Sequence, residues 1–198
     1  YKNKYKTEST RLKNFDYSQS GYYFITICTT SRFCYFGNIK NGEMILNNCG
    51  KIILQELLKT PKIRNNVLLD EFIVMPNHIH AIIIIDKQTN YKDAFNVETI
   101  GDAFNVETIG DAFNASLPEY QNKFGPQRNN IASIIRGFKS TTNRQINKLL
   151  GNKNFAWQPR FWDHIVRNEK SLNNIRQYIH NNPTKWHRDR NNPDGLLM

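Results

Sequence analysis

The sequence predicts an α+β fold in which helices pack against one antiparallel sheet. Three observations support this class: short β-branched and aromatic runs, longer segments with apolar residues at helical spacing, and turn signals between them. The chain has 198 residues, of which 39% are hydrophobic. That length and composition are sufficient for a real core, so we predict a single domain over residues 1–198.

The predicted strands are rich in β-branched and aromatic residues, which favour extended backbone. Asn41-Gly42 is a turn pair typical of a hairpin loop, so the segments on either side of it should pair. Pro76-Asn77 should form a tight turn or bend between two further strands. The predicted strands cover residues 21–29, 35–39, 43–46, 67–75 and 78–85.

Three helices are predicted from apolar spacing and from their boundary residues. Pro61 and Pro183 each follow a helical segment, and proline disfavours helical backbone at the residue before it. An asparagine at the start of the first segment can cap the helix. The predicted helices run from Asn47 or Asn48 to about Lys59, from 129 to 150 and from 169 to 181.

An internal repeat interrupts this pattern. The segment Asp-Ala-Phe-Asn-Val-Glu-Thr-Ile begins at Asp93, recurs at Asp102 and restarts at Asp111, with a period of nine residues. Two and a half copies are too few for a solenoid that buries its own face. We interpret residues 87–127 as a flexible, non-catalytic insertion in a surface loop, with a calcium-binding nonapeptide coil as the alternative.

The charge of the chain favours a polyanionic partner. The net charge is +10, and outside residues 86–119 there are 25 basic against 10 acidic residues. Lys and Arg that neutralise phosphates supply most non-specific affinity for nucleic acid, which is the leading partner class. An acidic membrane surface is the alternative. The apolar runs are shorter than the roughly 20 residues that span a bilayer, so we predict no membrane segment.

The cysteines predict an ordinary cytoplasmic protein. Cys28, Cys34 and Cys49 are odd in number and have no C-x-x-C spacing. This pattern argues against a disulfide framework and against a zinc cluster. The basic N-terminal segment is not followed by an apolar signal-peptide core, which agrees with a cytoplasmic location.

The segment from Met75 to His80, Met-Pro-Asn-His-Ile-His, leads directly into an apolar strand. Successive side chains on a strand point to opposite faces, so His78 and His80 should share one face while Ile79 is buried behind them. Two imidazoles in this arrangement can bind one metal ion. The alternative is that both histidines are structural.

A second cluster lies on the last predicted helix. Tyr178 and Asn182 are four residues apart and therefore lie on one helical face. Asn182 would offer its carbonyl oxygen as a third ligand, and Tyr178 would present its phenol to a phosphate bound at the metal. Two neutral imidazoles, one amide oxygen and open positions suit Mg²⁺ or Mn²⁺. The alternative for Tyr178 is packing at a helix end.

These motifs occur in a fixed order that resembles a known family. The chain is similar to the IS200-like single-tyrosine transposases, which belong to the HUH class, and within them to the REP-associated tyrosine transposases. The resemblance covers nearly the whole chain except the repeat insertion. The segments that carry it are residues 11–13, 16–18, 21–29, 75–80, 161–169 and 178–186.

The resemblance implies a ferredoxin-like antiparallel sheet with the His-hydrophobe-His motif on a central strand and a nucleophilic tyrosine on a C-terminal helix. Members of the family cut single-stranded DNA near a hairpin, form a 5′-phosphotyrosine and a free 3′-hydroxyl, and rejoin strands by the reverse attack. By position, His78, His80 and Asn182 correspond to metal ligands and Tyr178 to the nucleophile. The implied partner is single-stranded or hairpin DNA, including repetitive palindromic elements, and a monomer is favoured over a homodimer.

Several further residues are candidates for contact with DNA. Trp157 and Phe161 are available for base stacking. His164 and His180 are interpreted as structural or DNA-facing residues. The candidate phosphate contacts are the basic residues Arg11, Lys13, Arg136, Lys139, Arg144, Arg160 and Arg167.

The leading hypothesis is therefore a metal-dependent DNA strand transferase that uses Tyr178. One alternative is a domesticated hairpin-binding protein with little catalytic turnover, for which the inserted repeat could be a sign of relaxed constraint. Another is an RNA-binding sheet, which would carry exposed aromatic residues on its central strands in place of the histidines.

Overall fold

A computed structural model describes residues 12, 15–87, 128–151, 154–193 and 195. Arg11, Lys13 and the repeat insertion, apart from Lys87, lie outside the described residues. The elements in chain order are β1 Gly21–Cys28, β2 Gly37–Lys40, β3 Glu43–Leu46, α1 Asn48–Ile63, β4 Val67–Val74, β5 His78–Ile85, α2 Ile131–Leu149, β6 Trp162–Val166 and α3 Glu169–His180. Two short 3-10 helices cover Thr30–Arg32 and Pro183–Arg188.

The main sheet has four strands in the order β4-β5-β1-β6, and each neighbouring pair is antiparallel. Strands β1 and β4 are joined through α1, strands β5 and β6 through α2, and the two units interleave so that β5 and β1 are central. This is the ferredoxin-like topology. Strands β2 and β3 form a separate hairpin between β1 and α1. The predicted α+β, ferredoxin-like fold is confirmed.

The two faces of the sheet are covered by different helices. Alternate residues such as Ile25 and Ile79 point towards α1 and α2 and form the larger apolar core. The intervening residues, such as Phe24 and Ile82, pack with α3 on the opposite face. Since His78 and His80 alternate with Ile79, both histidines lie on the α3 face.

The position of α3 on this face is secured by one ion pair. Arg176 donates from Nε to Asp70 Oδ1 of β4 over 2.8 Å, and its Nη2 binds the second carboxylate oxygen. This two-point contact fixes orientation as well as distance. At the start of the helix, Asn168 accepts a hydrogen bond from the backbone of Ser171 and caps the first turn. Farther along the helix, Tyr178 is held near the sheet by ring contacts with Phe24 and His80.

The predicted boundaries agree with the structure within a few residues, with two exceptions. Helix α1 continues to Ile63 and includes Pro61, because Leu57, Thr60 and Pro61 form a buried face whose packing outweighs one lost backbone hydrogen bond. Strand β6 was not predicted, because its polar sequence does not alternate clearly. None of the helices in the described ranges combines the length and apolar character that a membrane crossing requires.

Candidate active site

The two histidines of β5 form the centre of the site. His78 is 0% exposed and His80 is 2% exposed, and their Nε2 atoms are 3.0 Å apart. The predicted sharing of one face is confirmed, because β5 is a regular strand over both residues. The two nitrogen atoms that can bind a cation therefore point to the same spot.

The orientation of His78 is set by its neighbour Asn77. The Asn77 side-chain nitrogen donates to the backbone oxygens of Arg32, over 2.8 Å, and of Asn191, over 2.7 Å. Because both contacts require the NH₂ group, the Asn77 Oδ1 atom must face His78 Nδ1, which lies 2.8 Å away. Nδ1 then carries the proton, and the Nε2 lone pair of His78 is left free to bind a cation.

His80 is held from the adjacent strand. Thr26 pairs with His80 across β1 and β5, and its hydroxyl lies 2.8 Å from His80 Nδ1. This contact occupies the nitrogen that points away from His78. Both rings thus have their Nδ1 atoms bound by protein groups and their Nε2 atoms turned inward.

Both histidines are held in the neutral form that binds metal ions. Burial lowers the pKa of His78 to about 3, and the nearby Arg190 and Arg32 contribute. Burial also lowers the pKa of His80 well below its usual value, and neighbouring His78 adds to this effect. Neutral imidazole is the form whose nitrogen lone pair is available as a ligand.

A carboxylate oxygen beside the histidines and an amide oxygen that lines the same cavity are further candidate donors for a divalent cation. Asp189 has its Oδ2 atom 3.8 Å from His78 Nε2, and the ligand atoms of His78, His80 and Asp189 all lie within 4.8 Å of one another. Among the described residues, the Oδ1 atom of Asn182 is buried without a hydrogen-bond partner. A buried amide oxygen without a partner is costly unless it binds a cation or water. This donor set of imidazole and oxygen groups suits Mg²⁺, Mn²⁺ or a similar ion.

Tyr178 lies directly beside this donor set. Its Oη atom is 3.3 Å from His80 Nε2, and its ring packs edge-on against the rings of His80 and Phe24. Burial raises the pKa of Tyr178, as does the charge of Asp189, whereas a hydrogen bond from the Asn182 side chain lowers it. Because 47% of the Tyr178 side chain remains exposed, a bound strand can still reach the phenol.

An open cavity of about 660 Å³ surrounds the phenol. Three basic residues line it together with Tyr178 and His80. They follow α3 in the run Lys-Trp-His-Arg-Asp-Arg, which covers the last four residues of the 3-10 helix Pro183–Arg188 and the two residues after it. The three are Lys185, Arg188 and Arg190.

The five described basic residues that the sequence predicts as DNA contacts do not line this cavity. Arg136, Lys139 and Arg144 are on α2, which packs on the face opposite the histidines. The Lys139 ammonium donates to the backbone oxygens of Gln158 and Arg160, so it braces a loop. Arg160 and Arg167 are exposed before and after β6, and their contact with DNA stays a prediction.

The stacking residues proposed from the sequence are differently placed as well. Trp157 is 7% exposed, and its indole N–H donates to Thr142 in the core. Phe161 packs against the larger apolar core. The tryptophan that is open to solvent is Trp162, which is 42% exposed and lines the cavity.

Sequence reasoning did not identify Asp189 or Trp162. Asp189 is the one carboxylate in the basic run from Lys185 to Arg190, and that contrast was the available signal. Trp162 could have been recognised only after β6 was known to be a strand at the sheet edge.

Substitution of Asn77 should weaken both stability and metal binding. Asn77→Ala removes three buried hydrogen bonds, so we expect the free energy of unfolding to fall by about 2–3 kcal/mol in a urea titration. We expect affinity for Mn²⁺ to fall about ten- to hundredfold, because the tautomer of His78 is no longer set. Asn77→Asp, which keeps Oδ1 but loses the two donors, should lower stability while retaining most of the affinity for Mn²⁺, because the contact that sets the tautomer of His78 remains. Asn38→Ala, on the exposed hairpin, is the control. Unchanged Mn²⁺ affinity in Asn77→Ala would contradict this role.

The fold and the site define an α+β protein of ferredoxin-like topology whose central strand presents a His-x-His pair to a tyrosine on the following C-terminal helix. A Haemophilus influenzae protein, described as uncharacterized, is 35% identical to the chain over 182 residues, which are 91% of this chain and 90% of that protein. The chain belongs to one family with this protein. No protein-family model matches the chain.

Two solved structures are similar to the chain. The structure of a REP-associated tyrosine transposase bound to a REP hairpin is 20% identical, with a TM-score of 0.49, and the match covers 91% of this chain and 74% of that one. A crystal structure described as a proposed transposase of Deinococcus radiodurans is 15% identical, with a TM-score of 0.36, and the match covers 87% of this chain and 97% of that one. Both descriptions name transposases, the class that the sequence motifs resemble.

Proposed function

We propose that the protein is a metal-dependent DNA strand transferase that nicks and rejoins single-stranded DNA near hairpins through a 5′-phosphotyrosine. The observation that carries the proposal is the 3.3 Å distance between Tyr178 Oη and His80 Nε2. A hydroxyl nucleophile therefore adjoins two imidazole nitrogens that can bind a cation. The ordered motifs of the sequence, from residue 11 to residue 186, support the same assignment.

The reaction conserves one phosphodiester linkage at each step. Tyr178 loses its phenolic proton, and Oη attacks the phosphorus of a DNA phosphodiester. The bond from phosphorus to the 3′ oxygen breaks, and the leaving oxygen takes up a proton to become a free 3′-hydroxyl. A 3′-hydroxyl then attacks the phosphotyrosine, which restores a phosphodiester and returns the phenol. No external energy source is required.

The residues that would hold the cation are His78, His80 and Asp189, with Asn182 as a further oxygen donor. When bound, Mg²⁺ or Mn²⁺ would polarise the phosphoryl oxygens and stabilise the charge that develops on them. The chain itself keeps both histidines neutral, orients their Nε2 atoms and fixes the phenol beside them.

The charges around the phenol support a polyanionic substrate. Lys185, Arg188 and Arg190 line the same cavity as Tyr178. These side chains can neutralise the phosphates on either side of the one that reacts. The net charge of +10 favours the same class of partner. We propose single-stranded or hairpin DNA, including repetitive palindromic elements, as this partner.

The roles of the two oxygen donors can be separated by substitution. We expect Asp189→Asn and Asn182→Ala each to reduce affinity for Mn²⁺ at least about tenfold, which corresponds to about 1.4 kcal/mol. Isothermal titration calorimetry measures this affinity, and Asn181→Ala, at the exposed end of α3, is the matched control. If only one of the two variants loses affinity, the other residue is not a ligand.

The proposed activity can be tested directly. The protein is incubated with Mg²⁺ and single-stranded DNA that contains a hairpin, and the products are separated under denaturing conditions. We expect a protein band whose mobility is shifted by covalently bound DNA. Hairpin binding without such a band would instead favour the domesticated hairpin-binding protein.

We also propose a cytoplasmic monomer. Cys28, Cys34 and Cys49, which all lie in the described part of the chain, form no disulfide, as expected in a reducing compartment. The histidines, Asp189 and Tyr178 of the site come from a single chain, so a second copy is not needed to complete it.

A further inference from the structure

Trp162 presents an aromatic ring to solvent at the entrance of the site. It lies at the start of β6, its side chain is 42% exposed, and it lines the cavity that contains Tyr178. Single exposed apolar side chains are common on protein surfaces, so it is the position of Trp162 at this cavity that points to a ligand.

The ring is held in a defined orientation. Phe24 packs edge-on against it, with ring centroids 5.5 Å apart and an interplanar angle of 76°. His164, two residues further along β6, lies almost parallel to it at 6° and a centroid distance of 6.0 Å. The side chains of Trp162 and His164 thus form a pair of nearly parallel rings on one strand, which we call the β6 ring pair.

The β6 ring pair lies on the same face of the sheet as the histidines. Trp162 is opposite Thr26 and His164 is opposite Phe24 in the β1–β6 register. Helix α3 packs over Phe24 and Ile82 but leaves both rings of the pair exposed. A gap therefore remains between α3 and the sheet edge, and Tyr178 forms its opposite wall.

Phe24 connects the two walls of this gap. Its ring contacts Trp162 on one side and Tyr178 on the other, at centroid distances of 5.5 and 6.0 Å. A planar group lying on Trp162 would therefore occupy the same gap as a phosphate at Tyr178. The basic side chains of Lys185, Arg188 and Arg190 line the same cavity and match the charge of a nucleic acid backbone.

We propose that Trp162 is the stacking platform for a single unpaired nucleobase of the DNA strand, next to the phosphodiester that Tyr178 attacks. The inference rests on the proposed function for its substrate class. An aromatic ring accepts any of the four bases, because every base has a π face, so the site selects unpaired over paired DNA. A base inside a duplex has both faces covered by its stacked neighbours and cannot lie on the ring.

The test measures binding without catalysis. Tyr178→Phe protein in EDTA is titrated into a fluorescent DNA hairpin that carries oligothymidine extensions on both sides, and anisotropy gives the dissociation constant. In this background we expect Trp162→Ala to weaken binding about tenfold and Trp162→Phe to stay within about threefold. Phe33→Ala, which removes a 61% exposed ring outside the cavity, is the matched control and should leave the affinity unchanged.

An abasic scan then locates the base. Thymines of the extensions are replaced one at a time by abasic sites. The affinity of each probe is measured for the Tyr178→Phe protein and for the same protein carrying Trp162→Ala. We expect one position at which the abasic probe binds about tenfold more weakly and the Trp162→Ala substitution has no additional effect. Circular dichroism confirms that each variant is folded.

The outcomes distinguish this inference from the proposed function. Equal affinity of Trp162→Ala and its parent, or a loss that is the same at every abasic position, overturns the stacking role. A loss restricted to one position supports it, even if the wild-type protein forms no covalent adduct with DNA. In that case the proposed strand transfer fails, and Trp162 belongs to a binding protein for unpaired DNA.

Discussion

Tyr178→Phe is expected to abolish the covalent protein–DNA adduct and to leave binding of hairpin DNA intact. The substitution removes one oxygen atom, and that atom lies 3.3 Å from His80 Nε2. Loss of a nucleophile typically lowers turnover by several orders of magnitude, so we expect adduct formation to fall at least about a thousandfold. The ring contacts with Phe24 and His80 remain, and the affinity for DNA should therefore change little.

Two measurements accompany this prediction. The adduct is quantified on denaturing gels, and hairpin affinity is measured by anisotropy in the same buffer. Tyr35→Phe, on a half-buried ring that packs against Phe155, is the matched control and should form the adduct like the wild type. If the adduct persists in Tyr178→Phe, another residue is the nucleophile and the assignment of Tyr178 is wrong.

His80→Gln should eliminate both cation binding and strand cleavage. His80 contributes one of the two inward-facing Nε2 atoms, and it also contacts the phenol of Tyr178. We expect affinity for Mn²⁺ and the yield of adduct each to fall at least about a hundredfold, more than is typical when a group that only orients a ligand is lost. Glutamine is used because it keeps a polar side chain in this buried position.

The controls for His80→Gln separate ligation from folding. His187→Gln changes an exposed histidine outside the cavity and should leave both values unaltered. A urea titration shows whether the His80→Gln variant is still folded. Excess Mn²⁺ shows whether the remaining donors can still bind the cation and restore strand cleavage. Strand cleavage by folded His80→Gln at the wild-type rate would argue against a metal at this site.

Most elements of the sheet could be predicted because each has a strong local signal. The apolar run of β5 and the aromatic run of β1 strongly favour extended backbone, and Asn41-Gly42, with both residues at positive φ, favours a tight hairpin turn. Strand β6 has no such signal, because Trp162, Asp163 and His164 are stabilised as a strand by pairing with β1. Local sequence was also an incomplete guide at the end of α1. Proline disfavours helical backbone, but Pro61 is buried against the core and stays inside the helix.

The sequence by itself determined the fold class, the shared face of His78 and His80, and the motif order that resembles a transposase family, because these depend on spacing along the chain. Tertiary structure alone decided that Asp189 lies beside the histidines and that Asn77 sets the tautomer of His78. It also decided that Trp162, and not Trp157, faces the cavity. These features depend on contacts between residues far apart in the chain, such as His78 with Asp189 and Asn77 with Asn191, and only tertiary packing brings them together.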